Sequence, residues 1–393
     1  MKISLKIFPS VKIQLLAVDF LIKWLNFCLG FFQKVLFYKK VLNPQNILIY
    51  KVGNIGDIVC AIPSFIAIRR FYPKAKITLL TSPGIKGAFG AKELLSGVWY
   101  LDKMKIYYAD DIDSLDKKKK FIKDLRGNNY DLFIQIPDDL ANFRTLLRNM
   151  IFAKFIGAKS AFGFKIRTIQ LFKKTQVDYL FKKTEVENLI EILTTNGIYC
   201  EKSEFDFNIL EKSVEKINKL LNDFKFNKND LLIALNTAAK REANKWPTEK
   251  FLKIALFLKK RYNAKIIIIG GLSEAAEAVA IAKNIGELAL PLAGQLTLSE
   301  TIELLKRCSF LVSNDTGAVH MAAAVGSQVV GIYSVRNVLG SWFPYGQGHK
   351  ILYRKFLDCD YKKEECIKKS IGMITFDEVA RACDCIIKEL NKN

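Results

Sequence analysis

From residue 46 onward, short apolar runs alternate with longer stretches of helical spacing. The runs are nearly continuous, as in strands buried on both faces of a parallel sheet. In the first half Ile47–Val52, Lys76–Thr81, Val98–Leu101 and Asp131–Ile136 read as strands, with helices at Ile58–Phe71 and Leu115–Leu125. Glu201–Asp230 is polar, rich in Lys and Asn and helical in pattern, which suits a connection between domains. The pattern then restarts. Leu231–Leu235, Lys265–Ile269, Phe310–Ser313 and Val329–Tyr333 read as strands. Helices open near Thr248, Ser273, Thr297 and Ala318, and a terminal helix spans Ile374–Leu390. This alternation predicts an α/β protein of two doubly wound, parallel-sheet domains. The expected segments are a helical 1–45, a first domain 46–215, a second domain 216–355 and a helical 356–393.

Residues 11–37 carry the spacing of one long helix. On a wheel of about 100° per residue, Lys12, Asp19, Lys23, Asn26, Gly30, Gln33 and Lys34 form one narrow polar stripe. The remaining face holds Leu15, Phe20, Trp24, Phe27, Phe31 and other apolar side chains. Charges interrupt every long apolar run and no small-residue cleavage site follows, so neither a spanning helix nor a signal peptide fits. The wide apolar face suits a helix lying in a bilayer interface, and packing against the protein or another subunit gives the same pattern.

Composition narrows the partners. At 393 residues, half of them hydrophobic, the chain has enough material for two full cores. Sixty-one Lys and Arg against 39 Asp and Glu give a net charge of +22, which favours a polyanion: nucleic acid, an anionic membrane surface or a phosphorylated substrate. No aromatic–basic interleaving and no nucleic-acid motif is present, so nucleic acid is not expected. With two His and no Cys-x-x-Cys, no metal is expected. The eight cysteines, four of them at Cys359, Cys366, Cys383 and Cys385, read as reduced thiols of a cytosolic protein. No Gly-x-Gly-x-x-Gly follows a strand and no P-loop occurs, so no dinucleotide or other cofactor is expected.

Candidate chemistry collects at predicted strand ends, where a parallel sheet binds ligands. After the first strand comes Gly53-Asn54-Ile55-Gly56-Asp57. The glycines allow close backbone approach, and Asp57 at the helix opening is either a cap or a general base. Arg144 and Arg148 follow the last strand of the first half and give a basic approach for an anionic acceptor, or a solvated helix face. In the second half the strand ends carry Thr237, Lys240, Lys245, Gly270, Glu274 and Gly294, then Asn314-Asp315-Thr316-Gly317 with His320 one turn later. Amides at a helix N-terminus, hydroxyls and a Lys can hold a diphosphate, and a carboxylate such as Glu274 can take both ribose hydroxyls. Singly these are turn residues; together they predict a nucleotide site.

Three blocks then become recognisable: ILIYKVGNIGDIVCAIPSFIAIRRFYPKAKITLLT, LIALNTAAKREANKWPTEKF with IIIIGG, and LAGQLTLSETIELLKRCSFLVSNDTGAVHMAAAVGSQVVGIYS. They resemble the lipopolysaccharide heptosyltransferases, glycosyltransferase family 9. The resemblance implies a GT-B fold: two Rossmann-like domains facing a cleft, the donor held by the second, and the C-terminal helix crossing back onto the first. It implies metal-independent, inverting transfer of heptose from ADP-heptose, or a similar nucleotide sugar, to a phosphorylated lipid-linked glycan, the inner core of lipopolysaccharide. The basic surface and the N-terminal helix, which lies outside the family's usual pattern, fit a lipid-anchored, phosphorylated acceptor and a cytoplasmic enzyme peripherally held at the inner face of the cytoplasmic membrane. By position, Asp57 matches the family's proposed base, and Gly53, Asn54 and Gly56 in its loop are expected to contact the donor. Asp315, Thr316, Gly317 and His320 match the diphosphate turn, and Thr237 and the Lys of the Trp-Pro block match donor contacts. That Lys often stands two places before the Trp; here the place is Asn244, with Lys245 adjacent to Trp246, so Lys240 and Lys245 both remain candidates. Two other readings are a nucleotide-sugar binder without catalysis and a relative with another donor or acceptor.

Overall fold

The computed structural model describes residues 9–39, 41–87, 89–138, 141–167, 183–200, 203–227, 229–336, 340–355 and 363–392. Cys359 lies outside them; Cys28, Cys60, Cys308, Cys366, Cys383 and Cys385 are free thiols.

Two sheets organise the chain, and every strand pair in both is parallel. The first comprises β1 (Asn46–Tyr50), β2 (Lys76–Thr81), β3 (Lys103–Ile106), β4 (Leu132–Gln135) and β5 (Ser160–Phe162), in the order β3-β2-β1-β4-β5. The second comprises β6 (Leu232–Asn236), β7 (Lys265–Ile269), β8 (Ala289–Pro291), β9 (Phe310–Asn314), β10 (Gln328–Tyr333) and β11 (Lys350–Tyr353), in the order β11-β10-β9-β6-β7-β8. Strand order reverses between β1 and β4 and between β6 and β9, so each sheet has a crevice beyond those carboxyl ends. The segments that leave there are 51–57, 136–138, 237–247 and 315–317.

Each sheet is apolar on both faces. In β1, Ile47 and Ile49 pack toward α2 (Ile55–Phe71) and Leu48 packs the other way, against α5 (Phe143–Phe155) and α1 (Pro9–Leu36). One apolar cluster runs from the α2 side of the first sheet into the second domain, through Phe65, Leu304 and Val319. Contact between the domains is made by α2 against α11 (Gly317–Ala324), and by α3 (Ala91–Leu95) against α10 (Leu298–Arg307).

Several expectations shift. The predicted strand Val98–Leu101 is a turn that buries Tyr100, whose hydroxyl donates to the Asp206 carbonyl at 2.9 Å; the strand is the Lys-bearing β3 just after it. Glu201–Asp230 is not simply a linker: α7 (Glu211–Asp223) packs Ile217 and Leu221 into the core against α10. The terminal helix α13 (Phe376–Leu390) does not pack on the first domain as expected. It lies against α8 (Thr248–Tyr262), β10 and β11, with Val379, Cys383 and Ile386 in the second domain's core. The polar stripe of α1 is also not all solvent-facing. Asn26 is turned inward, donating to the Ile166 carbonyl at 3.0 Å and accepting from the Ile166 N–H at 2.8 Å.

Candidate functional site

At the end of β1 the chain turns through Gly53, whose φ is +151°. A Cβ on Gly53 would stand 2.4 Å from the Cβ of Asp57, so only glycine lets the loop fold over that carboxylate. Asp57 lies in the first turn of α2 and accepts the Asn54 N–H at 3.0 Å, the carboxylate half of a capping box. The carboxylate is therefore held at a helix opening that points out of the first domain.

The helix opposite begins at Gly317. A Cβ there would lie 3.0 Å from Ile55 Cγ2, and one on Gly56 would lie 3.0 Å from the His320 ring. The two helix N-termini thus meet across the domain boundary, the Ile55 side chain seated on Gly317 and the His320 ring on Gly56. Beside this contact a cavity of about 310 Å³ opens between the domains, a size that suits a small ligand. Asn236, Thr316, Gly317 and Ala318 line one side of it, Leu272, Leu292, Leu296 and Leu298 another, and Ile55 and Phe89 come from the first domain. Thr316 is the N-cap of α11, yet its side chain makes no cap bond to the helix; its hydroxyl accepts from Asn236 Nδ2 at 2.9 Å. Amides of the first turn face the cavity beside an apolar slot, an arrangement that fits a diphosphate joined to a flat base.

Buried polar links hold this edge. Asn314 is fully buried; its Nδ2 donates to the carbonyls of Thr237 and Ala238 at 3.0 and 3.2 Å, and its Oδ1 accepts the Trp246 N–H at 3.0 Å. Trp246 is buried too, and its indole N–H donates to the Ile374 carbonyl at 2.9 Å. The Trp of the Lys-Trp-Pro block therefore anchors the segment entering α13.

Of the expected donor residues, Gly270, Gly294, Thr316 and Gly317 line the cavity. Asp315, half-buried, precedes the cap, and Thr237 is buried behind it. Glu274 caps its own turn, accepting the Gly271 N–H at 2.8 Å and the Ser273 hydroxyl at 2.7 Å. Lys240 is exposed. Lys245 is half-buried and pairs with Glu277 at 2.5 Å. Burial pushes the Glu277 carboxyl up, but bonds from Lys245 and Thr248 hold it below the usual carboxylate range. Glu277 was missed because it stands in the first turn of its helix, Ala275–Ile285, where a carboxylate reads as a charge complementing the helix end.

His320 is not on the cavity wall. It is buried in the domain contact, with Nδ1 3.4 Å from Cys60 Sγ and its ring edge-on to Trp342 at 5.7 Å. Burial lowers its pKa to about 4, so it is neutral at pH 7. Burial likewise raises the Cys60 thiol well above its ordinary value, with a further push from Glu185. Lys51 directly follows β1, two residues before Gly53. Its side chain is fully buried, and Nζ has no hydrogen-bond partner among the described residues.

Arg144 and Arg148 stand exposed on α5. Arg148 borders a second cavity of about 380 Å³, walled by Tyr50, Tyr107, Phe121 and Phe152. The Tyr50 and Tyr107 hydroxyls meet there at 2.7 Å. Among the described residues, no three His, Cys, Asp or Glu side chains form a metal-ligand cluster.

Residues 118–371 match the description "Glycosyltransferase family 9 (heptosyltransferase)", well over half the chain. The chain belongs to glycosyltransferase family 9. The matched span holds the whole second-domain cavity edge and leaves Asp57 outside it. Lipopolysaccharide heptosyltransferase 3 of Escherichia coli K12 is 22% identical over 85% of this chain and 96% of its own length. The lipopolysaccharide core heptosyltransferase OpsX of Haemophilus influenzae is 20% identical over 75% of this chain and 81% of its own. Among solved structures, a family 9 glycosyltransferase of Veillonella parvula superposes with a TM-score of 0.70 at 18% identity, covering 88% of this chain and 98% of that one. The E. coli ADP-heptose heptosyltransferase II gives 0.61 at 18%, covering 88% and 99%. This family 9 enzyme therefore has the GT-B fold, its two Rossmann-like domains closing on the cavity described above.

Proposed function

We propose that this family 9 glycosyltransferase moves a heptose from ADP-heptose to a phosphorylated, lipid-linked glycan, with inversion. The observation that carries the proposal is the meeting of two helix openings, the one that bears Asp57 and the uncapped first turn of α11, beside a cavity of about 310 Å³ that Ile55 and Gly317 both line. The E. coli heptosyltransferase WaaC, with TM-scores of 0.58 and 0.59, has been solved with ADP and with ADP-2-deoxy-2-fluoro heptose, and this supports the donor.

In this reading the base lies in the apolar slot and the diphosphate on the amides of Gly317 and Ala318. Asp57 takes the proton of the acceptor hydroxyl, which attacks the anomeric carbon from the side opposite the diphosphate. Negative charge builds on the leaving phosphate, where the helix N-terminus and a lysine, Lys240 or Lys245, stabilise it inside a closed cleft. For Lys245 this requires exchanging Glu277 for phosphate. These groups meet the charge unaided, so turnover should be the same with and without EDTA. The acceptor's anionic groups face Arg148 and Arg144, and its lipid places the enzyme at the inner face of the cytoplasmic membrane.

The test is to incubate the protein with a panel of nucleotide sugars and truncated core oligosaccharides and to identify products by mass. Heptose addition from ADP-heptose alone supports the reading; transfer of a different sugar, or donor binding without transfer, refutes it. Asp57→Asn should lower turnover about 10²–10⁴-fold, with ADP affinity in calorimetry unchanged. Near-normal turnover in that variant would remove Asp57 as the base.

A further inference from the structure

A helix on a protein surface ordinarily carries one apolar stripe, turned inward. Helix α1 carries two. Its inward stripe is Ile22, Leu25, Leu29 and Leu36, with Phe37 just beyond; Ile22, Leu29 and Phe37 are buried, and Leu25 and Leu36 pack beside them against the α5 cluster. The outward stripe is Leu16, Phe20, Trp24, Phe27, Phe31 and Val35, continued by Tyr38. Its spacing is four, four, three, four, four and three, so it runs straight along the opposite side of a 28-residue helix. Phe20, Phe27 and Tyr38 are 72, 74 and 76% exposed. Phe155, on the helix that α1 packs against, is exposed as well.

Scattered exposed apolar residues are ordinary, but an ordered row of this length marks an interaction surface. Its surroundings indicate what covers it. Residues 1–40 hold seven Lys against one Asp and no Glu or Arg. Lys23 and Lys34 flank the outward stripe on one side, both exposed, where their stems can lie along it and their ammonium groups reach headgroups. A second copy of the chain would set one +22 molecule against another. An anionic lipid surface supplies both apolar depth and opposite charge. Among the described residues no helix is long and apolar enough to cross a membrane, which fits a helix lying along one.

We propose that the outward stripe of α1 is a docking face for an anionic bilayer, holding the helix in the interface plane while its inward stripe stays packed on the first domain. This deepens the lipid-linked acceptor reading by naming the surface and the lipid charge, and its test needs no sugar transfer. The full chain is floated with vesicles of phosphatidylcholine alone and of phosphatidylcholine with phosphatidylglycerol. A combined Phe20→Ser, Phe27→Ser and Phe31→Ser variant is floated beside it, and thermal melts and light scattering are recorded for both. The expected result is binding about tenfold or more stronger with the anionic lipid, lost in the triple variant, whose melting point is unchanged because these side chains touch no core. Vesicle binding equal in the variant and the parent overturns the proposal. So does a parent that is dimeric and indifferent to vesicles while the variant is monomeric, since the stripe is then a subunit interface.

Discussion

At the scale of single residues, His320 shows how little spacing says about direction. Its place after the Asp-Thr-Gly turn was legible; its side, toward Cys60 and Trp342 and away from the cavity, was not. Burial sets its behaviour. With a folded pKa of about 4 against an ordinary 6.5, the native state stays neutral at pH values where the unfolded chain takes up a proton. Stability from this group is whole above pH 6.5 and falls as pH drops toward 4, a loss on the order of 3 kcal/mol. His320→Gln should flatten that slope in urea unfolding between pH 4 and 7. Gly317 makes a second residue-scale case. Gly317→Ala places a methyl 3.0 Å from Ile55, so the contact must give by a few tenths of an ångström. Reacting groups tolerate misplacement poorly, so turnover should fall about tenfold or more while the melting point moves little.

Elements were legible where burial was two-sided. β2 and β7 match their predicted spans residue for residue, and α2 and α8 were placed because their caps and apolar spacing agree. Edge strands were not. β3 reads Lys-Met-Lys-Ile, β8 ends in Pro291, and β5 has three residues; charge, proline and brevity are how sheets protect their edges, and each erases the apolar signal. Tyr100 gave the opposite error, an apolar run buried as a turn. Position after a strand found the cavity glycines, but the buried Asn314 lattice was missed because an Asn in a turn is read as solvated. The Lys-Trp-Pro block belongs at this scale too. Because Trp246 ties the β6 edge to the start of α13, Trp246→Ala should cost about 3–5 kcal/mol, measured by denaturant unfolding, with Ile374 and α13 loosened first in hydrogen exchange.

For the whole molecule, domain number, parallel sheets and the family were all readable, since long-range order in an α/β chain follows from local alternation. Where the C-terminal helix docks was not, because an apolar stripe names no partner; α13 covers the second sheet instead of returning to the first. The net charge of +22 also acts at this scale. Transfer to an acceptor embedded in anionic vesicles should weaken steeply between 50 and 300 mM salt, while transfer to a short neutral acceptor in solution should hardly change, as screening shortens the reach of the field to about 8 Å near physiological salt.

The contact at Gly56 and Gly317 has a mechanical consequence. Neighbouring surfaces usually mesh through side chains that must be lifted before either can turn. Here one side of each contact is bare glycine, with Ile55 seated on Gly317 and the His320 ring on Gly56, so the lobes approach more closely at this point than two side chains would allow, and sliding drives Ile55 into the opposing helix. Opening and closing should therefore be a swing about one fixed point, with Asp57 carried on a short radius and the outer rim of the cleft sweeping furthest.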